Sequence, residues 1–248
     1  MSAIDLAIIT LNEENTILRC LESVPFAKEK YVIDSHSSDQ TREIAQKFGA
    51  HVIERDWPGY PKQKQFALDQ CKSQWILVLD ADEWLTEEAI NEIKKIIESD
   101  TKHVGFEIPR YQIFMNKVLK QGKGVDYPLR LIRNGKAKYN NREIHEEIIP
   151  DGTVGRLNHG MEHLSSSTIN ERLDKMKRDV EMEMDEAFPK DFNFKNMIIT
   201  PCTYFLSYLV KKKTWKDGLP GIIWLALFSI QNFLIVARHF EEAEKKDK

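Results

Sequence analysis

The stretch that decides the fold is "WILVLDADEWLT", residues 75–86. It begins as a short apolar run of the kind that forms a buried strand, and it ends with the carboxylates of Asp80, Asp82 and Glu83 around a single alanine. Carboxylates this close repel one another, and each costs free energy to remove from water unless a positive charge lies among them. The sequence therefore predicts a compensating cation at the end of this strand.

Short apolar runs alternate with helical patterns in the N-terminal part of the chain. The predicted strands are residues 4–9, 30–34, 50–54 and 75–80. Thr86 is placed to cap the helix after the last strand, with Glu87 and Glu88 in the first turn of that helix. This alternation predicts an α/β fold with a mainly parallel sheet and helices on both faces, in which ligands bind at the carboxyl ends of the strands.

A polar cluster follows each of these strands. The clusters are "TLNEEN" (10–15), "DSHSSD" (34–39), "RDWPGY" (55–60) and "DADE" (80–83). Because the carboxyl ends of parallel strands meet at one edge of the sheet, the four clusters together predict a binding site rather than a coincidence.

Asp80 and Asp82 are separated by one residue, so an extended chain points both side chains the same way. Two carboxylates with the other coordination positions open suit Mg²⁺ or Mn²⁺, which take phosphate oxygens and water as further ligands. The alternative is an acidic helix N-terminus, where carboxylates gain from the helix dipole without any ion. The other polar clusters on the same edge favour the metal.

Composition and charge exclude some classes of protein. The chain has 248 residues and a formal net charge of −3, which argues against nucleic-acid binding. Its widely spaced cysteines, Cys20, Cys71 and Cys202, predict reduced thiols in a cytosolic protein. The opening "MSAIDLAIITLNEEN" meets Asp5 before an apolar run can form, so it is interpreted as a first strand rather than a signal peptide.

The most apolar stretches, residues 197–210 and 219–237, lie near the C-terminus on either side of "KKKTWKDG". The second stretch is about long enough to cross a bilayer, and it is also compatible with a buried helix or a helix on a membrane surface. Lysines 211–213 and 216 favour contact with an anionic membrane face, whereas a solvated basic turn is the simpler interpretation. Pairing of two copies through these helices is a further alternative.

The polar clusters also carry a family resemblance. "TLNEEN", "DSHSSDQT", "WPGYPKQKQFAL" and "WILVLDADEWLT", in this order, resemble the inverting nucleotide-sugar glycosyltransferases of family 2, which have the Rossmann-like GT-A fold. More narrowly, they resemble the small bacterial enzymes that add a sugar, often glucose, to the lipopolysaccharide inner core. The match is close over residues 4–86 and looser at 142–148, 159–167 and 217–221.

The resemblance implies roles for individual residues. The nucleotide-sugar-binding residues would be Thr10, Asn12, Glu13, Asp34, Ser35, Lys64, Asp80 and Asp82. Asp82 would be the more direct metal ligand, with Asp80 beside it. His163 is a candidate third ligand, and a structural histidine is the competing interpretation. His36 stands where relatives commonly carry glycine, so this loop needs backbone angles that histidine adopts less readily. Gln65 stands where many relatives carry asparagine, which affects a side-chain contact near the donor.

An inverting transfer needs a base that takes the proton of the attacking hydroxyl group, opposite the leaving diphosphate. The motif "HEEI" supplies Glu146, with Glu147 as the alternative and His145 as a group that orients the base or touches the acceptor. Two solvated glutamates on an edge strand are the competing interpretation. The arginines suited to acceptor phosphates are Arg130, Arg133 and Arg142.

The resemblance implies three regions: a nucleotide-sugar-binding half (1–103), an acceptor-binding half (104–166) and a C-terminal helical region (167–248). The expected protein is an enzyme, peripheral on the cytosolic face of a bacterial inner membrane. It would use Mg²⁺ or Mn²⁺ to transfer a hexose from UDP-glucose to a lipid-linked lipopolysaccharide or lipooligosaccharide core.

Three alternative functions remain open, of which the first is another nucleotide-sugar transferase that acts on a different glycan or lipid carrier. A nucleotidyltransferase also binds nucleotide and metal beside a parallel sheet, but it normally has a glycine-rich loop after its first strand, where "TLNEEN" has no glycine. A membrane-docked scaffold would use the acidic edge of the sheet only to bind a cation.

Overall fold

The computed structural model describes residues 3–140, 146–183 and 194–246. The chain divides into two compact units, of which the first combines Met1–Arg110 with Tyr127–His163 and the second combines Tyr111–Asp126 with Leu164–Lys248. The three regions expected from the resemblance stay a prediction.

The elements of the chain follow in order. The N-terminal elements are β1 (Ile4–Thr10), α1 (Ile17–Glu22), β2 (Lys30–Asp34), α2 (Thr41–Lys47), β3 (His51–Glu54), α3 (Tyr60–Gln70), β4 (Trp75–Asp80), β5 (Glu83–Leu85) and α4 (Glu87–Glu98). Short strands follow: β6 (Gly105–Glu107), β7 (Arg110–Phe114), β8 (Lys117–Val118), β9 (Val125–Asp126), β10 (Leu129–Arg133), β11 (Ala137–Tyr139), β12 (Ile148–Pro150), β13 (Val154–Arg156) and β14 (Met161–His163). The C-terminal helices are α5 (Ile169–Glu183), α6 (Phe194–Val210) and α7 (Gly218–Lys246).

The centre of the first unit is a seven-stranded sheet in the order β13-β6-β10-β4-β1-β2-β3. β4, β1, β2 and β3 are parallel neighbours, and β10 lies antiparallel between β4 and β6. The expected α/β fold with a mainly parallel sheet is therefore confirmed. The Thr86 hydroxyl accepts a hydrogen bond from the N–H of Ala89, which makes it the cap of α4 as predicted.

Helices cover both faces of this sheet. Neighbouring strand residues point to opposite faces, and the side chains on both faces are apolar and pack against helices. Leu77 and Leu79 of β4 belong to a core that contains side chains of α1, α2 and α4. Ile76 and Val78 belong to a second core on the other face, which contains side chains of α3. Both faces of β4 are thus apolar, and its continuous hydrophobic run is that of a strand buried on both sides.

Two short strand pairs complete the first unit near the carboxyl ends of the parallel strands. β5 pairs with β14 in antiparallel register, with Glu83 opposite His163. A Cβ atom on Gly160, just before β14, would lie 1.9 Å from the carbonyl oxygen of Pro109, so only glycine fits there. β11 pairs with β12, with Tyr139 opposite Ile148, and residues 141–145 between them lie outside the described residues.

The second unit contains the C-terminal helices. Met176 and Val180 of α5 pack on Ile235 of α7. The carboxylate of Asp217 accepts hydrogen bonds from the backbone N–H groups of Lys120 and Gln121. In the described part of the chain, one segment, Thr214–Glu242, is long and apolar enough to cross a membrane, by length and composition only. Within its most apolar stretch of 18 residues, 39% is buried.

Candidate active site

The loops after β1 and β2 are joined by hydrogen bonds. The backbone N–H of Asn12 donates to Ser37 Oγ (2.8 Å), and the N–H of Ser38 donates to Asn12 Oδ1 (2.8 Å). The N–H of Glu13 donates to Thr41 Oγ1 (2.7 Å). Asn12 has φ 56°, in the left-handed region that asparagine tolerates better than most residues. Asn12 therefore fixes the shape of this edge through its own backbone and side chain.

Asp34 closes the turn after β2. It is fully buried, and its carboxylate accepts hydrogen bonds from the N–H (2.8 Å) and the hydroxyl group (2.5 Å) of Ser37. Ser35 Oγ accepts from Gln63 Nε2 (3.1 Å). His36 adopts φ 64°, where relatives commonly have glycine, and its Nε2 lies 2.8 Å from Asp56 Oδ1. The contacts of Asp34 and Ser35 hold the turn, and their expected contact with a nucleotide stays a prediction.

Thr10 ends β1 at the same edge of the sheet. Its side chain is buried, and its hydroxyl oxygen has no hydrogen-bond partner among the residues that the structure describes. Buried hydroxyl groups in native proteins are usually paired, because an unpaired one costs about 1–3 kcal/mol. The expected contact of this hydroxyl group with a nucleotide stays a prediction.

The carboxylates of Asp80 and Glu83 are compensated by cations of the chain itself. Arg130 Nη2 lies 2.6 Å from Asp80 Oδ2 and 2.7 Å from Glu83 Oε1. Arg110 Nη1 lies 2.8 Å from the same oxygen of the fully buried Glu83. The other Glu83 oxygen accepts the backbone N–H of Asp80 (3.0 Å). The compensating positive charge predicted for this cluster is thus supplied to Asp80 and Glu83 by arginines, and the expected role of Asp80 as a metal ligand stays a prediction.

Lys64 connects Asp80 to the expected base. Its Nζ lies 3.0 Å from Asp80 Oδ1 and 3.0 Å from Glu146 Oε1. Burial alone would lower the pKa of Lys64, but Asp80 and Glu146 raise it above its ordinary value, so the amine stays protonated. Burial alone would raise the pKa of Asp80, because it disfavours the charged carboxylate. The positive charges of Arg130 and Lys64 instead hold this pKa well below its usual range. The pair Lys64–Asp80 is therefore charged at neutral pH.

A cavity of about 400 Å³ opens beside this cluster within the first unit. Its lining includes Lys64, Asp80, Arg130, Tyr139, Glu146 and Glu147. Its volume lies in the range of small-molecule sites, and the polar groups named here come from α3, β4, β10, β11 and the two residues just before β12. Glu146 and Glu147 both line it, so the structure leaves both as candidates for the base. His145 lies outside the described residues.

Asp82 and His163 form a second polar pair, with Asp82 Oδ2 3.1 Å from His163 Nε2. The pairing of β5 with β14 brings them together across 81 residues of sequence. Burial and the charge of Asp82 raise the pKa of Glu13, so that carboxylate lies near the pair. In the described part of the chain, no three His, Cys, Asp or Glu side chains converge as a complete metal cage. An oxygen and a nitrogen donor with open positions fit an ion that takes its other ligands from phosphate and water.

The structure also places the three arginines and the glutamine that the sequence analysis singled out, except for Arg142. Arg133 lies opposite Trp75 at the start of β4, at the far edge of the sheet from Asp80, and its guanidinium donates to the carbonyl of Thr101 (2.8 Å). Arg130 is buried in its ion pairs. Arg133 is therefore placed away from the cavity, whereas Arg130 lines it, and its expected contact with an acceptor phosphate stays a prediction. Arg142 lies outside the described residues. Gln65 Oε1 accepts the N–H of Tyr139 (3.0 Å), so this side chain holds β11 to α3.

Sequence reasoning missed Arg110 and Tyr139 and gave Glu83 no role. Arg110 reaches Glu83 from β7, and Tyr139 reaches the cavity from β11, on strands that sequence patterns describe only as broken pieces. The one sequence signal was the acidic cluster itself, which required buried positive charge without identifying its source.

The model of glycosyl transferase family 2 matches residues 5–159. The lipopolysaccharide core biosynthesis glycosyltransferase LpsC of Rhizobium meliloti (strain 1021) is 30% identical over an alignment that covers 94% of this chain and 90% of that protein. The crystal structure of S. aureus TarS 1-349 is 14% identical and covers 99% of this chain and 92% of its own, with a TM-score of 0.47. Glucosyl-3-phosphoglycerate synthase from Mycobacterium tuberculosis, solved with Mn²⁺, UDP-glucose and phosphoglyceric acid, is 19% identical and covers 46% of this chain and 44% of its own, with a TM-score of 0.34.

The family match and its glycosyltransferase relatives define an enzyme of the glycosyltransferase class. The chain belongs to glycosyl transferase family 2, and the resemblance drawn from its four N-terminal motifs is confirmed.

Proposed function

We propose that the protein is a metal-dependent inverting hexosyltransferase that moves glucose from UDP-glucose to a lipopolysaccharide or lipooligosaccharide core. The observation that carries the proposal is the bridge made by Lys64, which lies 3.0 Å from both Asp80 and Glu146. This bridge joins Asp80, at the end of β4, to Glu146, a carboxylate that lines the cavity. The carboxyl end of such a strand is where ligands bind in α/β sheets. The similarity to LpsC, whose name gives lipopolysaccharide core biosynthesis, supports the acceptor class.

Asp82 and His163 are the residues that would hold Mg²⁺ or Mn²⁺. A divalent cation there supplies positive charge for the departing diphosphate. Asp80, held by Lys64 and Arg130, is kept in place as a contact for the donor. Thr10 offers its buried hydroxyl to the nucleotide, and the loops shaped by Asn12, Glu13, Asp34 and Ser35 enclose it.

Glu146 acts as the base in this proposal. The acceptor oxygen forms a bond to C1 of the hexose while the bond from C1 to the diphosphate oxygen breaks, and that electron pair leaves with UDP. The proton of the acceptor hydroxyl goes to Glu146. The Lys64 ammonium group orients this carboxylate toward the cavity, because the two groups are hydrogen-bonded in a site only partly open to solvent.

Product analysis tests the reaction class. The purified protein is incubated with Mg²⁺, a panel of UDP-sugars and defined truncated core acceptors, and products are measured by mass spectrometry. We expect one UDP released per hexose added, no reaction in EDTA, and recovery when Mg²⁺ or Mn²⁺ is restored. Release of pyrophosphate would instead favour a nucleotidyltransferase, and full activity of metal-free protein in EDTA would contradict the metal requirement.

Conservative substitution separates the two candidate bases. Glu146→Gln should lower kcat by about 10²- to 10⁴-fold while KM for the donor changes little, because only proton transfer is removed. Glu147→Gln is the matched control, since this glutamate lines the same cavity, and it should change kcat by less than about threefold. The reverse result would assign the base to Glu147, and wild-type kcat in both variants would refute a base in this motif.

We also propose that the second unit makes peripheral contact with the cytosolic leaflet of a bacterial inner membrane. The turn between α6 and α7 exposes Val210 (66%), Trp215 (55%) and Leu219 (67%). Lys211, Lys212, Lys213 and Lys216 are exposed on the same turn. Apolar side chains beside clustered lysines are typical of segments that lie on anionic membranes, where each lysine contributes about 1 kcal/mol.

Vesicle co-sedimentation tests this contact. The full-length protein should bind vesicles that contain phosphatidylglycerol, bind phosphatidylcholine vesicles weakly, and dissociate at high salt. Lys212→Gln with Lys213→Gln should weaken binding by about tenfold or more, whereas Lys245→Gln, at the distal end of α7, should have little effect. Resistance to carbonate extraction would favour a bilayer span, and a salt-independent dimer without vesicle binding would favour paired copies.

A further inference from the structure

Tyr139 lines the cavity and carries a buried hydroxyl group at its edge that none of the contacts described above explains. Its backbone N–H is held by Gln65 of α3, and its ring lines the cavity of about 400 Å³. Its hydroxyl oxygen is buried and has no hydrogen-bond partner among the residues that the structure describes. The polar end of Tyr139 is thus prepared for a group that the described chain does not supply.

Burying the Tyr139 hydroxyl group without a partner costs folding free energy, and the packing of the ring does not require that group. An unpaired buried hydroxyl group costs about 1–3 kcal/mol relative to a paired one, and phenylalanine would fill the same space without this cost. Burial raises the pKa of Tyr139, so the phenol is neutral at pH 7 and can both donate and accept a hydrogen bond. A ligand atom is the natural partner for such a group.

The charges around the hydroxyl indicate the chemistry of this ligand. It interacts electrostatically with two cations, Lys64 and Arg130, and with two carboxylates, Asp80 and Glu146. Formal charges in this set cancel, and the cations are already engaged by the carboxylates. A phosphate gains little from such surroundings, whereas a neutral hydroxyl group can donate to a carboxylate and accept from the phenol.

We propose that the Tyr139 hydroxyl hydrogen-bonds a ring hydroxyl of the pyranose bound in this cavity and thereby helps to select the sugar. This inference rests on the proposed transfer reaction. The pyranose is either the transferred hexose or the acceptor sugar, since both must approach Glu146. A site built around a substrate hydroxyl discriminates against an analogue that lacks it, because the protein group is then left unpaired.

Tyr139→Phe tests the contact, with kcat/KM measured separately for donor and acceptor. We expect a fall of about tenfold for the sugar that makes the contact, with a thermal midpoint equal to or above that of the wild type. Tyr31→Phe is the matched control, because Tyr31 lies at the opposite end of the parallel strands, and it should leave kcat/KM unchanged.

Deoxy analogues separate a sugar contact from a structural effect. One deoxy position should lower kcat/KM for the wild type but cause no further loss in Tyr139→Phe. If that position lies on the UDP-hexose, the contact is to the donor, and if it lies on the acceptor, the contact is to the acceptor. Unchanged kcat/KM in Tyr139→Phe, or additive losses at every deoxy position of both sugars, would overturn the contact while leaving the transfer reaction intact. Failure of the wild type to transfer any hexose would overturn the proposed function and this contact together.

Discussion

Arg130 lies buried between Asp80 and Glu83, and its guanidinium group binds both carboxylates at 2.6 and 2.7 Å. The rest of the site depends on this contact, because it joins the end of β4 to the start of β5 and reaches them from β10. Removing one partner from such a buried cluster leaves an uncompensated charge, which costs about 3–5 kcal/mol. The cluster therefore fixes the acidic edge of the sheet in one arrangement.

Asp80 and Asp82 look equivalent in the sequence, but their side chains have different partners in the structure. Asp80 is held by Arg130 and Lys64, whereas Asp82 lies against His163. Lys64 extends the cluster to Glu146, so the proposed base is positioned by the same charges that hold Asp80. In the proposed reaction, the diphosphate and its metal lie on the side of Asp82, and the sugar lies in the cavity on the side of Lys64, Tyr139 and Glu146.

Many of the strands and helix boundaries could be predicted from local sequence. The runs "KYVID" and "WILVLD" form strands at the predicted positions, because each is a short apolar segment bounded by polar turns. Thr86 was predictable as a cap from its place before two glutamates. Asp82 and His163 lie side by side, and their expected role as metal ligands stays a prediction. By contrast, the partners of Glu83 come from residues 110 and 130, and no pattern within a segment reports such contacts. The carboxylate of Asp34 accepts two hydrogen bonds from a serine three residues away, a contact that the sequence pattern did not indicate, and its expected contact with a nucleotide stays a prediction.

The most direct test is a crystal structure of the protein soaked with Mn²⁺ and UDP, with the metal located by its anomalous signal. Our account predicts Mn²⁺ at Asp82 and His163, bridged to the diphosphate, while Arg130 remains bound to Asp80 and Glu83. An ion held by Asp80 with Arg130 displaced, or UDP bound with its diphosphate away from Asp82, would contradict it.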